Sequence, residues 1–104
     1  VTVEMVPLPE QTEAELLRIA QESVTNALKH AKPSAINIEL AYLPEMIRLM
    51  VQDNGRGFDP AQPAAGFGLT GMRERAMRIG AQLTVKMRPE GGSEVVCLVK
   101  TERR

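Results

Sequence analysis

Between Pro9 and Pro33 the chain spaces its apolar side chains for a helix: Leu16, Leu17, Ala20, Val24, Ala27, Leu28 and Ala31. That period commits the segment to one amphipathic helix, and Pro33 ends it because its ring lacks an N–H and blocks a further turn. Thr12, with Glu15 three residues on, reads as an N-cap with a capping box. On both sides the period drops to two. Val1, Val3 and Met5 alternate with Thr2, Glu4 and Val6, so 1–8 predicts a short strand ended by Pro7 and Pro9. Ile36, Ile38 and Leu40 alternate with Asn37, Glu39 and Ala41, a strand over 35–42 with one buried face. Residues 46–52 turn Ile47, Leu49 and Val51 inward and should pair with it as an antiparallel hairpin across Pro44-Glu45. Leu69, Met72, Ala76 and Ile79 mark one face of a second helix stopped by Gly80. A last hairpin, 81–88 with 93–101, turns at Pro89-Glu90-Gly91-Gly92. The order predicts an α+β two-layer sandwich, with a mixed, mostly antiparallel sheet and both helices on one face.

At 104 residues this is one domain, spanning 1–104. Thirteen Lys plus Arg against thirteen Asp plus Glu give no net charge, which argues against a diffuse nucleic-acid binder but leaves room for a local phosphate site. Cys97 and His30 are single, so a disulfide framework, a Cys-rich zinc site and a two-histidine metal site are excluded. Two Phe, one Tyr and no Trp make a base-stacking platform a poor fit. No apolar run approaches the roughly 18 to 20 residues that span a bilayer, and the first residues lack the features of a signal peptide. The start at Val1, without a methionine, is expected of a piece of a longer protein.

Three constellations could carry chemistry. On a helical wheel Glu22, Asn26 and Lys29 form one row opposite the apolar stripe. Such a row is ordinarily a solvated face. It also joins a carboxylate that can orient or deprotonate a nucleophile, an amide oxygen suited to Mg²⁺ and an ammonium suited to phosphate. Asp53-Asn54-Gly55-Arg56-Gly57-Phe58 follows a strand end; it reads as a tight turn, or as a carboxylate acceptor beside glycines that admit a ligand. Gly66-Phe67-Gly68-Leu69-Thr70-Gly71 opens the second helix, where backbone N–H groups and the helix dipole favour an anion. It lacks the Gly-Lys-Ser/Thr ending of a Walker A loop. Arg73, Arg75 and Arg78 read as the solvated side of that helix.

Taken in order, these stretches resemble the nucleotide-binding domain of bacterial sensor histidine kinases, within the wider superfamily of gyrase, Hsp90 and MutL. Residues 18–31, RIAQESVTNALKHA, are similar to that family's N box, 53–58 to its G1 box and 66–71 to its G2 box. Gly71-Met72-Arg73-Glu74-Arg75-Ala76 resembles the nitrate-sensor and desaturase-sensor type. Gly80-Ala81 departs from the usual two glycines.

The resemblance implies a Bergerat-type ATP-binding fold with ATP and Mg²⁺ as cofactors. It places Asn26 as the Mg²⁺ ligand, Glu22 as base or positioner, and Lys29 and His30 toward the phosphates. Asp53 would accept from the adenine amino group, with Gly55 and Gly57 lining the base. Gly66, Gly68, Leu69, Thr70 and Gly71 would form the lid hinge and phosphate-facing helix start, and 58–65 a short ATP lid. In the full-length sensor kinase the γ-phosphoryl group would pass to a histidine on a separate dimerisation domain, in cis or in trans. A response regulator and a homodimeric whole protein follow from the same resemblance, with no nucleic acid and no direct membrane contact for this domain. The expected setting is cytoplasmic, including the cytoplasmic part of a membrane-anchored sensor. His30, inside the N box, is not expected to be the phosphoacceptor. The alternatives are an anti-sigma-factor serine kinase or ATPase of the superfamily, or a non-catalytic nucleotide-sensing or docking module.

Overall fold

The first helix, α1 (Glu10–Asn26), begins on Pro9, whose φ of −53° and ψ of 142° leave its carbonyl to accept the Glu13 N–H at 3.1 Å. The structure is a computed structural model, and it describes residues 9–56 and 69–100. No side chain caps the helix start. The expected Thr12 N-cap is therefore corrected: proline's fixed φ starts the helix earlier, and Thr12 lies within the first turn. Glu10 and Glu13 in that turn complement the positive end of the dipole. After Asn26 the helix widens into one π turn, Ala27–Ala31. Lys32 then swings out of it in the left-handed region (φ 48°, ψ 57°), since a right-handed turn at that residue would meet the ring of Pro33.

Four described strands follow as two hairpins. They are β1 (Ile36–Leu43), β2 (Met46–Asp53), β3 (Gln82–Met87) and β4 (Ser93–Lys100), in the spatial order β1-β2-β4-β3 with every pairing antiparallel. The step from β2 to β4 is the one that no hairpin dictates; it pairs Val51 with Val95 and Gln52 with Glu94. The expected strand over 1–8 lies outside the described residues.

Between the hairpins runs α2 (Leu69–Arg78). It ends as Gly80 suggested: Gly80 adopts φ 63°, its N–H bonds to Met77 O, and the Ala81 N–H bonds to Ala76 O at 2.8 Å. These are the paired bonds of a Schellman motif. Ile47, Leu49 and Val51 of β2 and Val95, Cys97 and Val99 of β4 are buried against Leu16 and Ile19 of α1 and Met72 and Ala76 of α2. Both helices thus cover one face of the sheet, as the α+β two-layer reading expected.

One strand departs from its pattern. Ile38 and Leu40 share β1's inward face yet are 54% and 48% exposed. Alternation fixes which face they occupy, but β1 is an end strand of the described sheet and α1 packs on its neighbour β2. A groove of about 580 Å³ is left between α1 and β1, floored by Leu17, Ala20, Ile38 and Leu40 and rimmed by Glu10 and Glu13.

Candidate functional site

Asp53 closes β2 and is buried, 4% exposed. Its Oδ1 accepts the Gly55 N–H at 2.8 Å and its Oδ2 accepts the Ser93 hydroxyl at 2.5 Å. Each carboxylate oxygen offers about two acceptor sites, so capacity remains for a further donor. The backbone here is equally fixed. Arg88 Nη1 donates to the Asp53 carbonyl at 2.9 Å while the same guanidinium pairs with Glu90. Gly92, at φ 91°, passes so close that a Cβ there would lie 1.9 Å from the Asp53 carbonyl oxygen. Only glycine fits that crossing.

The chain leaving Asp53 is tied to the end of α1. Arg56 N–H donates to the Ala31 carbonyl at 2.8 Å, which satisfies a carbonyl of the π turn. A Cβ on Gly55 would fall 2.2 Å from that same carbonyl oxygen, so the missing side chain admits the helix end. Asn54 uses both ends of its amide: Oδ1 accepts from the Ser34 and Ala35 N–H groups, and Nδ2 donates to Ser34 Oγ. Two stretches noted separately in the sequence, around Asn26 and around Asp53, therefore meet at the C-terminal end of α1.

The second helix reaches the same place from the other side. Glu15 of α1 accepts from Arg75 at 3.1 Å and Arg78 at 3.2 Å, while Ser23 Oγ lies 3.5 Å from Met72 Sδ and donates to the Ile19 carbonyl. Moving eight residues forward on α1 moves the partner backward on α2, so the helices run antiparallel. Three residues beyond Ser23 is Asn26, and three before Met72 is Leu69. Asn26 and the start of α2 therefore lie toward the same end of the helix pair.

The expected residues thus divide. Asp53 and Asn26 are buried, Glu22, His30, Gly55 and Leu69 are half-buried, and Lys29, Thr70 and Gly71 are exposed. Of the row Glu22, Asn26 and Lys29, Asn26 alone departs from a solvated face, because the wheel counts only α1's own apolar stripe and not what packs around its end. A Cβ on Gly71 would meet nothing within 4 Å, so the fold itself does not require glycine there. Gly57, Gly66, Gly68 and the segment 58–65 lie outside the described residues. Arg75 and Arg78, expected on the solvated side of α2, pair with Glu15 of α1, Arg78 while still 53% exposed. Among the described residues no three His, Cys, Asp or Glu side chains gather to hold a metal.

Sequence reasoning missed Ser93, Arg88 and Gly92. Their signal was available only jointly: the turn glycines place Ser93 at the head of β4, and the β2–β4 register sets it beside Asp53.

A four-stranded antiparallel sheet under two helices, as the described residues form, has counterparts among solved ATP-binding domains. The histidine kinase domain of a blue-light-activated kinase from Erythrobacter litoralis superposes with a TM-score of 0.74 at 25% identity, over 93% of this chain and 51% of that one. The ATP-binding domain of PrrB from Mycobacterium tuberculosis shares the fold, with a TM-score of 0.74 at 19% identity over 86% of this chain and 69% of that one. Residues 11–103 match the family of histidine kinase-, DNA gyrase B- and HSP90-like ATPases, and the chain belongs to that family. It is 37% identical over 94 residues to the sensor protein VraS of Staphylococcus saprophyticus, covering 89% of this chain and 27% of that protein. It is 35% identical over 89 residues to the signal transduction histidine-protein kinase/phosphatase DegS of Brevibacillus brevis, covering 85% and 23%. The chain therefore spans about a quarter of the length of these relatives.

Proposed function

We propose that this chain holds Mg·ATP between the C-terminal end of α1 and the N-terminal end of α2, as the catalytic part of a sensor histidine kinase. The observation that carries the reading is Asp53: a buried carboxylate, fixed by the Gly55 N–H and the Ser93 hydroxyl, with acceptor capacity unused. An adenine amino group is the donor it suits, and Gly55 and Gly57 flank it. The phosphates extend toward Lys29, His30 and the start of α2, where Leu69, Thr70 and Gly71 contribute backbone N–H groups; Gly66 and Gly68, assigned with them, lie outside the described residues.

The donor chemistry around Asn26 fits a hard cation. One amide oxygen with phosphate oxygens and waters is the kind of shell Mg²⁺ accepts, and it needs no cluster of carboxylates. When bound, Mg²⁺ supplies charge neutralisation on the triphosphate. The protein's own work is positioning: Asp53 fixes the base, Lys29 and the α2 dipole meet the phosphates, and Glu22 serves the attacking group as base or positioner. In the whole protein that group is a histidine of an adjoining dimerisation domain, and a response regulator receives the phosphoryl group afterwards. No helix among the described residues is long and apolar enough to cross a membrane, which suits a catalytic part borne outside any membrane anchor.

The test is Asp53→Asn. The substitution keeps the shape but lets an amide donor face the adenine amino group. Loss of a charge-assisted hydrogen bond of about 1.5–3 kcal/mol lowers ATP affinity by about 10- to 150-fold. Calorimetry that finds unchanged affinity in a folded Asp53→Asn protein overturns the adenine assignment.

A further inference from the structure

The nucleotide reading leaves the Glu15–Arg75–Arg78 cluster unused, and its construction is unusual for a surface ion pair. Glu15 lies at the start of α1, far from Asn26, yet only 7% of it is exposed and each carboxylate oxygen takes one guanidinium of α2. In sequence it adjoins the core residue Leu16, and Ala76, also in the core, falls between the two arginines. An apolar side chain would pack there without the cost of desolvating a carboxylate, and replacing such buried charge by hydrocarbon is often neutral or stabilising. What charge supplies here is direction.

The core contacts of α2 are the buried Met72 and Ala76 and the half-buried Leu69, and Ser23 of α1 donates to Met72 sulfur at 3.5 Å. Apolar packing is non-directional and methionine adapts to many positions, so such contacts hold the helix against the sheet but define its position along α1 less sharply. Two guanidiniums on opposite oxygens of one carboxylate do fix it. Since the helices are antiparallel, a register set at Glu15 is delivered at the other end, where Leu69, Thr70 and Gly71 lie toward the same end of the pair as Asn26.

We infer that Glu15 is a positioning residue for phosphate binding: through Arg75 and Arg78 it sets how far the start of α2 projects toward the phosphates. The inference rests on the nucleotide reading above. It separates two parts of one ligand, because adenine is held by Asp53 on β2, which the cluster does not touch, whereas the phosphates depend on α2.

The experiment compares Mg·ATP, titrated by calorimetry, with adenosine, titrated by NMR on the Gly55 amide, in wild type and Glu15→Gln. Gln keeps the volume and one acceptor, and a thermal melt checks that the fold persists. The expected result is a loss in Mg·ATP affinity of about five- to tenfold, with adenosine affinity within about twofold of wild type. The charge swap Glu15→Arg with Arg75→Glu, which preserves one carboxylate between two guanidiniums, is expected to recover most of the Mg·ATP affinity. Wild-type Mg·ATP binding in Glu15→Gln overturns the inference, and so does an equal loss for both ligands. If wild type binds neither ligand, the nucleotide reading itself fails and takes this one with it; the two failures are thus distinguishable.

Discussion

The two ends of the proposed nucleotide site are built on opposite plans. At the base end, Asp53 is buried and every neighbour is fixed: a hydroxyl from β4, a backbone N–H two residues on, a guanidinium on its carbonyl and a glycine pressed against its peptide. At the proposed phosphate end, Lys29, Thr70 and Gly71 are exposed, and α2 is tied to α1 at its far end by Glu15. On the proposed reading, the difference matches what each end would recognise. A single amino group is selected by one desolvated acceptor whose place is set before binding, because misplacing it loses the whole bond. A triphosphate is met by several donors at once, and these must stay accessible to admit it.

Substituting the glycines of the two ends is the sharpest way to break this contrast. Gly92→Ala drives a Cβ into the Asp53 carbonyl at a residue already at φ 91°, so backbone must move at the most ordered point of the site. A cost of about 3 kcal/mol is expected, a fall in melting temperature of about 12–24 °C for a domain this small. Gly71→Ala meets nothing within 4 Å and lies inside α2. There the substitution should raise stability by about 0.5–1 kcal/mol, since alanine is the better helix former. If Gly71 serves phosphate approach, Mg·ATP affinity falls about threefold or more even as the fold becomes more stable. A Gly92→Ala protein that melts like wild type removes the claim that the base end is rigidly built. A Gly71→Ala protein with unchanged Mg·ATP affinity removes Gly71 from the phosphate end.

The same contrast governs what the sequence revealed. The helices and all four described strands could be read because each depends on local period; the strand bounds fell within one residue, and only the start of α1 missed, by three. Asp53 was legible because it follows a strand end and precedes glycines. What escaped was non-local. Ser93 matters only because β4 lies beside β2, an adjacency that two separate hairpins leave open. Gly92 looked like one more turn residue until the Asp53 carbonyl was found under it. The burial of Asn26 depends on segments far along the chain folding around the end of α1, which no helical wheel contains. Thr12 failed as a cap for a local reason: Pro9, three residues earlier, already starts the helix. Glu15, freed from capping, became the partner of Arg75 and Arg78. Ile38 and Leu40 had the right period but lay beyond the reach of the helices.

The smallest expected effect bears on both ends at once, through pH. Burial pushes the Glu15 carboxyl up, but Arg78 and Arg75 together outweigh it and hold it below its ordinary value of 4.5. The Glu94 carboxyl, next to Ser93 on β4, is also lowered, first by the Gln52 amide at 2.6 Å and then, against some burial, by Lys86. A carboxyl with a lowered folded pKa stabilises the fold above its unfolded value and loses that contribution as pH falls through the folded one. Melting temperature should therefore hold down to about pH 5 and decline below the ordinary value of 4.5. Glu15→Gln and Glu94→Gln each remove one titrating group, so each should flatten that decline relative to wild type. Only Glu15→Gln should also separate Mg·ATP from adenosine affinity at neutral pH, because Glu94 braces neither α2 nor the Asp53 carboxylate directly. Parallel acid profiles for all three proteins would show that these two carboxyls do not carry the acid sensitivity, and with it would go the electrostatic account of how α2 is held.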